Sequence, residues 1–254
     1  MIRLKDVTFR YPDGEQDILS HISLKILPGV PVSIMGANGS GKSTLARCLN
    51  GLLLPVSGLV EVEGFESRQE ADNERIRRLV GMVFQNPDNQ IVSTTVEREI
   101  AFGMENLSFP YRQMIDTVKD LLTEFNLVEY RSRSPHYLSG GEKQLLALAA
   151  VLAMQPLYLI LDEPTSLLDP YSRKKILTTI FQNSNGRFKN VTPVLITQYP
   201  EETFFTERLI ILHHGKIEFN DSPGRVFTNP ERLLQIGINV PIEYKLNLGR
   251  QVEN

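Results

Sequence analysis

From Ile2 to Tyr11 apolar and polar residues alternate, with Val7, Phe9 and Tyr11 on one side. That two-residue period predicts a half-buried strand. SHISLKIL repeats it through Ile22, Leu24 and Ile26, and RLIILHHGKIEF predicts a hairpin turning near Gly215. Other apolar runs are less interrupted. PVSIM leads into a glycine-rich turn and a helix from about Lys42 to Gly51; LVEVEG and LVGMVFQ predict strands; residues 157–161 and 191–197 predict two more. Continuous apolar strands such as LYLIL suit a parallel sheet covered on both faces. The period becomes helical from Thr95 to about Asn126, with Pro110 as a break, again from Gly141 to just before Pro156, and in a polar helix from about Pro170. After Asp221 the pattern weakens. Strands alternating with helices predict an α/β fold with a mainly parallel sheet. Antiparallel strands gather at the N-terminus, and a helical block is inserted between Gln85 and Met154.

Composition changes this picture little. The 254 residues are 41% apolar and 22% charged, ordinary for a globular chain of one large domain or a domain with a subdomain. The net charge of −3 supplies no global basic field, so nucleic acid is not an expected partner. Cys48 is the single cysteine; it cannot form an internal disulfide and is expected as a small buried side chain in a reducing compartment. The opening MIRLKDVTFRYP has no apolar core of a secretory leader, and LLALAAVLAM is about half a membrane span, so work at a membrane is expected only through a partner.

Chemistry enters with GANGSGKST, which fits the phosphate-loop pattern through Gly36, Gly41, Lys42 and Ser43. Glycines let successive backbone N–H groups turn inward on an anion, and the following helix directs its positive N-terminus at the phosphates. A nucleotide is therefore expected on Gly36, Asn38, Gly39, Ser40, Gly41, Lys42, Ser43 and Thr44, with Lys42 on the β/γ-phosphates and Ser43 on Mg²⁺. LILDEP supplies the complement. Asp162 leaves the carboxyl end of a strand, where open α/β sheets bind ligands, and can hold Mg²⁺; Glu163 can accept a proton from an attacking water.

With LSGGEKQ, Gln85 after a strand, and SLLD ending at Asp169, these motifs stand in an order that resembles the nucleotide-binding subunits of ABC transporters over about residues 1–220. The resemblance implies a P-loop NTPase (RecA-like) core, an N-terminal antiparallel β subdomain, a helical subdomain inserted at about 86–153, and a C-terminal extension at 221–254 that supports dimer contacts; from the sequence alone its tail GINVPIEYKLNLGRQVEN reads equally as a frayed end. A second phosphate site is expected at the helix start formed by Ser139, Gly140, Gly141 and Glu142. One chain cannot easily bring both nests to one nucleotide; the resemblance implies two subunits head to tail, each ATP sandwiched between one chain's cradle and the other's signature. It further implies that Tyr11 stacks on adenine, that Gln85 senses Mg²⁺ and the attacking water, and that Asp169 communicates across the dimer. A core role for Tyr11 stays open.

FQNPDNQIVSTTVEREIAFGMEN, residues 84–106, is similar to the ATPases of energy-coupling factor importers. That likeness implies a second ABC ATPase, a transmembrane coupling protein, a separate membrane substrate-binding subunit, and a peripheral place on the cytoplasmic face of the cell membrane. The docking surface is expected between Gln85 and Leu138, mixed apolar and acidic through Glu97, Glu99 and Glu105. Two positions depart from the family pattern. Leu145 stands where a basic residue is usual, and Gln198 where histidine is usual. Glutamine can hydrogen-bond a phosphate oxygen but carries no titratable proton. The expectation is a slow site on this chain's own cradle, an intact one on its partner's, and hence a heterodimer, with a homodimer also possible; two competing readings are that glutamine substitutes adequately for histidine and that Gln198 is an introduced change. A nucleotide-gated regulatory subunit with little hydrolysis is the alternative, and a soluble ABC ATPase of repair or translation a further one. His21, His136, His213 and His214 show no metal-site spacing.

Overall fold

A computed structural model describes residues 1–12, 14–166, 168–181 and 188–245. In chain order the elements are β1 (Ile2–Phe9), β2 (Leu19–Ile26), β3 (Val32–Met35), α1 (Lys42–Leu49), β4 (Ser57–Val62), β5 (Phe65–Glu66), α2 (Glu70–Leu79), β6 (Val80–Val83), α3 (Val96–Asn106), α4 (Tyr111–Glu124), α5 (Gly140–Ala153), β7 (Tyr158–Asp162), α6 (Pro170–Phe181), β8 (Thr192–Ile196), β9 (Arg208–His213), β10 (Lys216–Asp221), α7 (Pro223–Phe227) and α8 (Pro230–Gln235). They group into two compact units, one of Met1–Leu79 with Thr192–Asn254, the other of Val80–Val191.

In the first unit β1 pairs antiparallel with β2 and β4, and β4 with β5. Ile2 and Leu4, then Val7 and Phe9, are buried; the alternation changes phase at a register shift between Leu4 and Val7, where Asp6 has φ 51°, so both halves face the covered side. Tyr11 falls beyond the end of β1. Strand β3 lies between β8 and β9, parallel to both, and β10 closes the hairpin antiparallel to β9. All four β3 residues are buried. Val32, Ile34 and Met35 are apolar, and the one polar residue, Ser33, has its hydroxyl paired with Thr206 Oγ1 at 2.5 Å, as burial between two parallel partners demands. Helix α1 follows and buries Leu45, Ala46, Cys48 and Leu49. Burial pushes the Cys48 thiol up to about 12.

Helix α2 escapes the periodicity because Ile76 is its one buried residue. Its ends carry the signal instead, Glu70 and Asp72 in the first turn and Arg77 and Arg78 in the last, matching the helix dipole. The weak pattern after Asp221 also hides order. Helices α7 and α8 are five and six residues long, too short to display a period. Val226, Phe227, Leu233, Ile236, Ile238 and Val240 join Met35, Leu209 and Ile211 in one buried cluster, so the extension contributes core side chains to this unit, and the start of the tail, through Ile238 and Val240, is packed and not frayed. Residues 246–254 of the expected C-terminal extension lie outside the described residues, as does Leu167 of SLLD.

In the second unit β6 and β7 pair in parallel, Val80 against Tyr158 through Val83 against Leu161. Pro110 separates α3 from α4. Helix α5 buries Leu146, Ala147, Leu148, Ala149, Val151, Leu152 and Ala153, which accounts for the apolar stretch as a core helix. Among the described residues no helix is long and apolar enough to cross a membrane. One expectation is corrected. Glu99 is 4% exposed and does not belong to an acidic surface. Its Oε2 accepts the backbone N–H groups of Val92 (3.0 Å) and Ser93 (2.7 Å), fixing the turn before α3. A buried carboxylate needs such donors. Glu97 is ion-paired with Arg131.

Candidate nucleotide site

The cradle begins where β3 ends. Gly36 is obligatory there. A Cβ would stand 2.3 Å from Ser40 Oγ and 2.4 Å from the Leu212 carbonyl oxygen of β9. Gly41 precedes α1 in the left-handed region (φ 101°), and as a glycine offers no side-chain cap to the first N–H groups of the helix. Those donors and the helix dipole are what an anion meets. The turn of the β9–β10 hairpin braces the loop: Gly215 N–H donates to Ser40 O (3.1 Å), and Ser20 N–H to Gly215 O (2.9 Å). Lys42, 6% exposed, bridges the loop by donating to Gly36 O (2.9 Å) and Ala37 O (3.1 Å). Asn38 and Gly39 form the exposed rim, while Ser40 is buried, its Oγ without a hydrogen-bond partner among the described residues. A narrow nest of backbone donors closed by one buried ammonium fits a polyphosphate. Tyr11 is 38% exposed, with its ring edge-on to Phe9 at 5.0 Å and its hydroxyl 3.3 Å from Thr44 Oγ1. It is thus a half-exposed aromatic beside the cradle, and not a core strand residue.

In the second unit Asp162 ends β7 and is 4% exposed. Glu163 follows in a left-handed backbone conformation (φ 49°), strained for a non-glycine residue. Its Oε2 accepts from Gln85 Nε2 at 3.0 Å. Residues 78 apart in the chain are thereby joined, and a neutral amide donor aims the Glu163 side chain. Ser139 caps α5 in a full capping box. Its N–H and Oγ donate to Glu142 Oε2 at 2.7 and 2.8 Å, and Glu142 N–H donates back to Ser139 Oγ at 3.3 Å. The Tyr130 hydroxyl, then the Ser139 N–H, hold the Glu142 carboxyl below the usual range. Asp169 accepts from the Ser172 hydroxyl and from the N–H groups of Tyr171 and Ser172, and the Ser172 hydroxyl leads in holding its carboxyl low.

Residues 19–166 match the ABC transporter family. This chain belongs to the ABC transporter family of ATPases. The energy-coupling factor transporter ATP-binding protein EcfA1 of Clostridium novyi is 42% identical over 95% of this chain and 86% of that one. The protein of the same name from Bacillus subtilis is 41% identical over 97% and 87%. Among solved structures, cbiO1 from Clostridium perfringens, described as part of the ABC transporter complex cbiONQ, superposes with a TM-score of 0.81 at 28% identity, covering 96% of this chain and 97% of that one. The ATP-binding cassette MJ0796, in a dimeric post-hydrolysis state bound to ADP and Pi, gives 0.79 at 29% identity, covering 88% and 99%.

In this ABC ATPase the sequence-derived residues fall into distinct groups. The cradle residues and Tyr11 assemble in the first unit. Gln198 also belongs there, exposed two residues beyond the end of β8, after the buried Thr197. Gln85, Asp162 and Glu163 gather at the ends of β6 and β7 in the second unit. Ser139, Gly141, Glu142 and Asp169 line a cavity of about 310 Å³ with Leu145 in its wall. The usual basic residue is thus replaced by an apolar lining there, beside Leu168 and Ile176. Sequence reasoning missed the residues that position Gln85. Gln90 Oε1 accepts from Phe84 N–H (3.2 Å), Gln144 Nε2 donates to Phe84 O (3.3 Å), and Lys143 pairs with Asp88 (2.7 Å). The sequence carried no signal for them, because a polar segment such as NPDNQ reads equally as a solvated loop and its partners on α5 lie more than fifty residues away.

Proposed function

We propose that the chain is the ATP-hydrolysing motor of an energy-coupling factor importer, working head to tail with a second ABC ATPase on the cytoplasmic face of the cell membrane. A transmembrane coupling protein and a separate membrane substrate-binding subunit complete the assembly. The Gln85–Glu163 hydrogen bond carries this reading: a glutamine poised on a strand-end carboxylate is a device for holding and deprotonating a water. Lys42 and the cradle N–H groups bind the triphosphate. Ser43, Asp162 and Gln85 present oxygen donors of the kind that hold Mg²⁺, which when bound neutralises charge building on the phosphates. Glu163 accepts the proton of the attacking water, and Gln85 fixes that water's place. Ser139 and the N–H groups of Gly140 and Gly141 meet the γ-phosphate on the partner chain, and Asp169 reports across the dimer. Tyr11 supports the adenine. Val92, Phe102, Tyr111 and Ile115, each at least 45% exposed, supply apolar contact for the coupling protein.

A second reading, a nucleotide clamp with little turnover, is favoured by Gln198 alone. Its amide can donate to a γ-phosphate oxygen but relays no proton. We assign slow turnover to the site on this chain's own cradle and full turnover to the site completed by its Ser139, which suits a heterodimer. Single-turnover hydrolysis measured separately at the two sites of the assembled pair tests this. Unequal rates support the asymmetric motor, and equal rates remove it.

A further inference from the structure

The segment FQNPDNQ is braced at every step. Phe84, immediately before Gln85, has both backbone groups taken by side chains: its N–H by Gln90 Oε1 at 3.2 Å and its carbonyl by Gln144 Nε2 at 3.3 Å. Asn86 Oδ1 accepts from Asp88 N–H at 3.0 Å and caps a single 3₁₀ turn, Pro87–Asn89. Asp88 then meets Lys143 Nζ at 2.7 Å. Gln144 is 2% exposed and the Lys143 side chain 16%, whereas the Asp88 side chain is 59% exposed, so the ion pair has its lysine covered and its carboxylate at the surface. Lys143 and Gln144 occupy the first turns of α5, directly after the Ser139–Glu142 capping box. Two adjacent residues of the signature helix therefore grip the loop of Gln85 on two sides. Ordinary surface ion pairs hold two mobile side chains for little return. This one spans 55 residues between a proline-stiffened turn and a capped helix start, where little freedom is left to lose.

We infer that Lys143 and Asp88, with Gln144 on the Phe84 carbonyl, are positioning residues that make the Gln85 loop and the Ser139 cap one rigid piece. The inference rests on the roles given above to Gln85 and Ser139. A displacement of the 86–92 turn by a transport partner is then delivered both to the water-holding glutamine of this chain and to the phosphate-binding cap it offers its neighbour. Neither Lys143 nor Asp88 touches nucleotide; they act on the timing and placement of groups that do.

The test uses the assembled transporter, with this chain wild type or carrying Asp88→Lys, Lys143→Asp, or both. Misplacing catalytic groups by about 1 Å costs up to ~10²-fold, so each single change is expected to lower kcat by roughly 10-fold with KM within about 2-fold. The charge-swapped double variant is expected to recover most of that loss, which a merely damaged fold would not do. Loss without recovery in the double variant, KM rising in step with falling kcat, or single variants at wild-type rates would each overturn the inference. Ser139→Ala runs alongside: if it leaves turnover unchanged, the reading of the cap as a phosphate site fails, whatever the swap shows.

Discussion

Replacing Gly36 by alanine adds one methyl group where the structure has no room for it. The new Cβ would lie 2.3 Å from Ser40 Oγ and 2.4 Å from Leu212 O. Ser40 can turn its hydroxyl away, but Leu212 O belongs to β9, which is pinned between β3 and β10. The cradle must therefore shift by about 1 Å to restore ordinary contact. Overpacking of this kind costs ~1–3 kcal/mol, which for a chain of this size lowers Tm by roughly 2–12 °C. The effect on ATP is separate. Each charge-assisted backbone hydrogen bond lost to the phosphates is worth ~1.5–3 kcal/mol, so ATP affinity should fall by roughly 10- to 100-fold. Gly39→Ala is the comparison. Nothing lies within 4 Å of its Cβ, and its cost is only the left-handed φ of 77°, ~1–2 kcal/mol. Thermal melting and nucleotide titration on both variants separate crowding from backbone strain. Should Gly36→Ala melt like wild type and bind ATP within a factor of two, the tightness of the cradle would be refuted.

Glu163→Gln should keep ATP binding while hydrolysis in its site falls by at least ~10²-fold, read by nucleotide retention against phosphate release. Gln198→His should raise single-turnover hydrolysis in the site on this chain's cradle and leave the other site unchanged; no gain there would count against the slow-site reading. Glu99→Ala removes the acceptor of two part-buried N–H groups and should cost about 1 kcal/mol, visible in a denaturant melt. Glu142 and Asp169 have carboxyl pKa values held below the usual range in the folded state. Their stabilisation is complete above the unfolded values near ~4 and is lost as pH falls through the lower folded values. Protection of the Ser139 and Glu142 amides from exchange, taken relative to the intrinsic rate at each pH, should therefore fall in acid below that range, and Glu142→Gln should flatten the dependence.

The strands and long helices were legible because each buries a continuous or alternating apolar set, as β3, β7 and α5 do. The phosphate cradle and the Ser139 cap were legible because local backbone chemistry dictates their residues. What stayed hidden was long-range or short-period. Helix α2 buries one residue, and α7 and α8 are shorter than the pattern that would reveal them. Glu99 looked like a surface acid because its donors, Val92 and Ser93, are backbone groups with no sequence signature. The Lys143–Asp88 pair joins positions 55 apart, which periodicity cannot connect.

At the centre of this account is a division of labour in which each chain lends its capped helix start to an ATP held by the other. A structure of the assembled pair trapped with ATP and Mg²⁺ through Glu163→Gln measures it directly. The account predicts Ser139 Oγ and the Gly140 and Gly141 N–H groups within hydrogen-bonding distance of the γ-phosphate on the partner's cradle. An ATP enclosed by one polypeptide, with Ser139 turned away from every nucleotide, would contradict it.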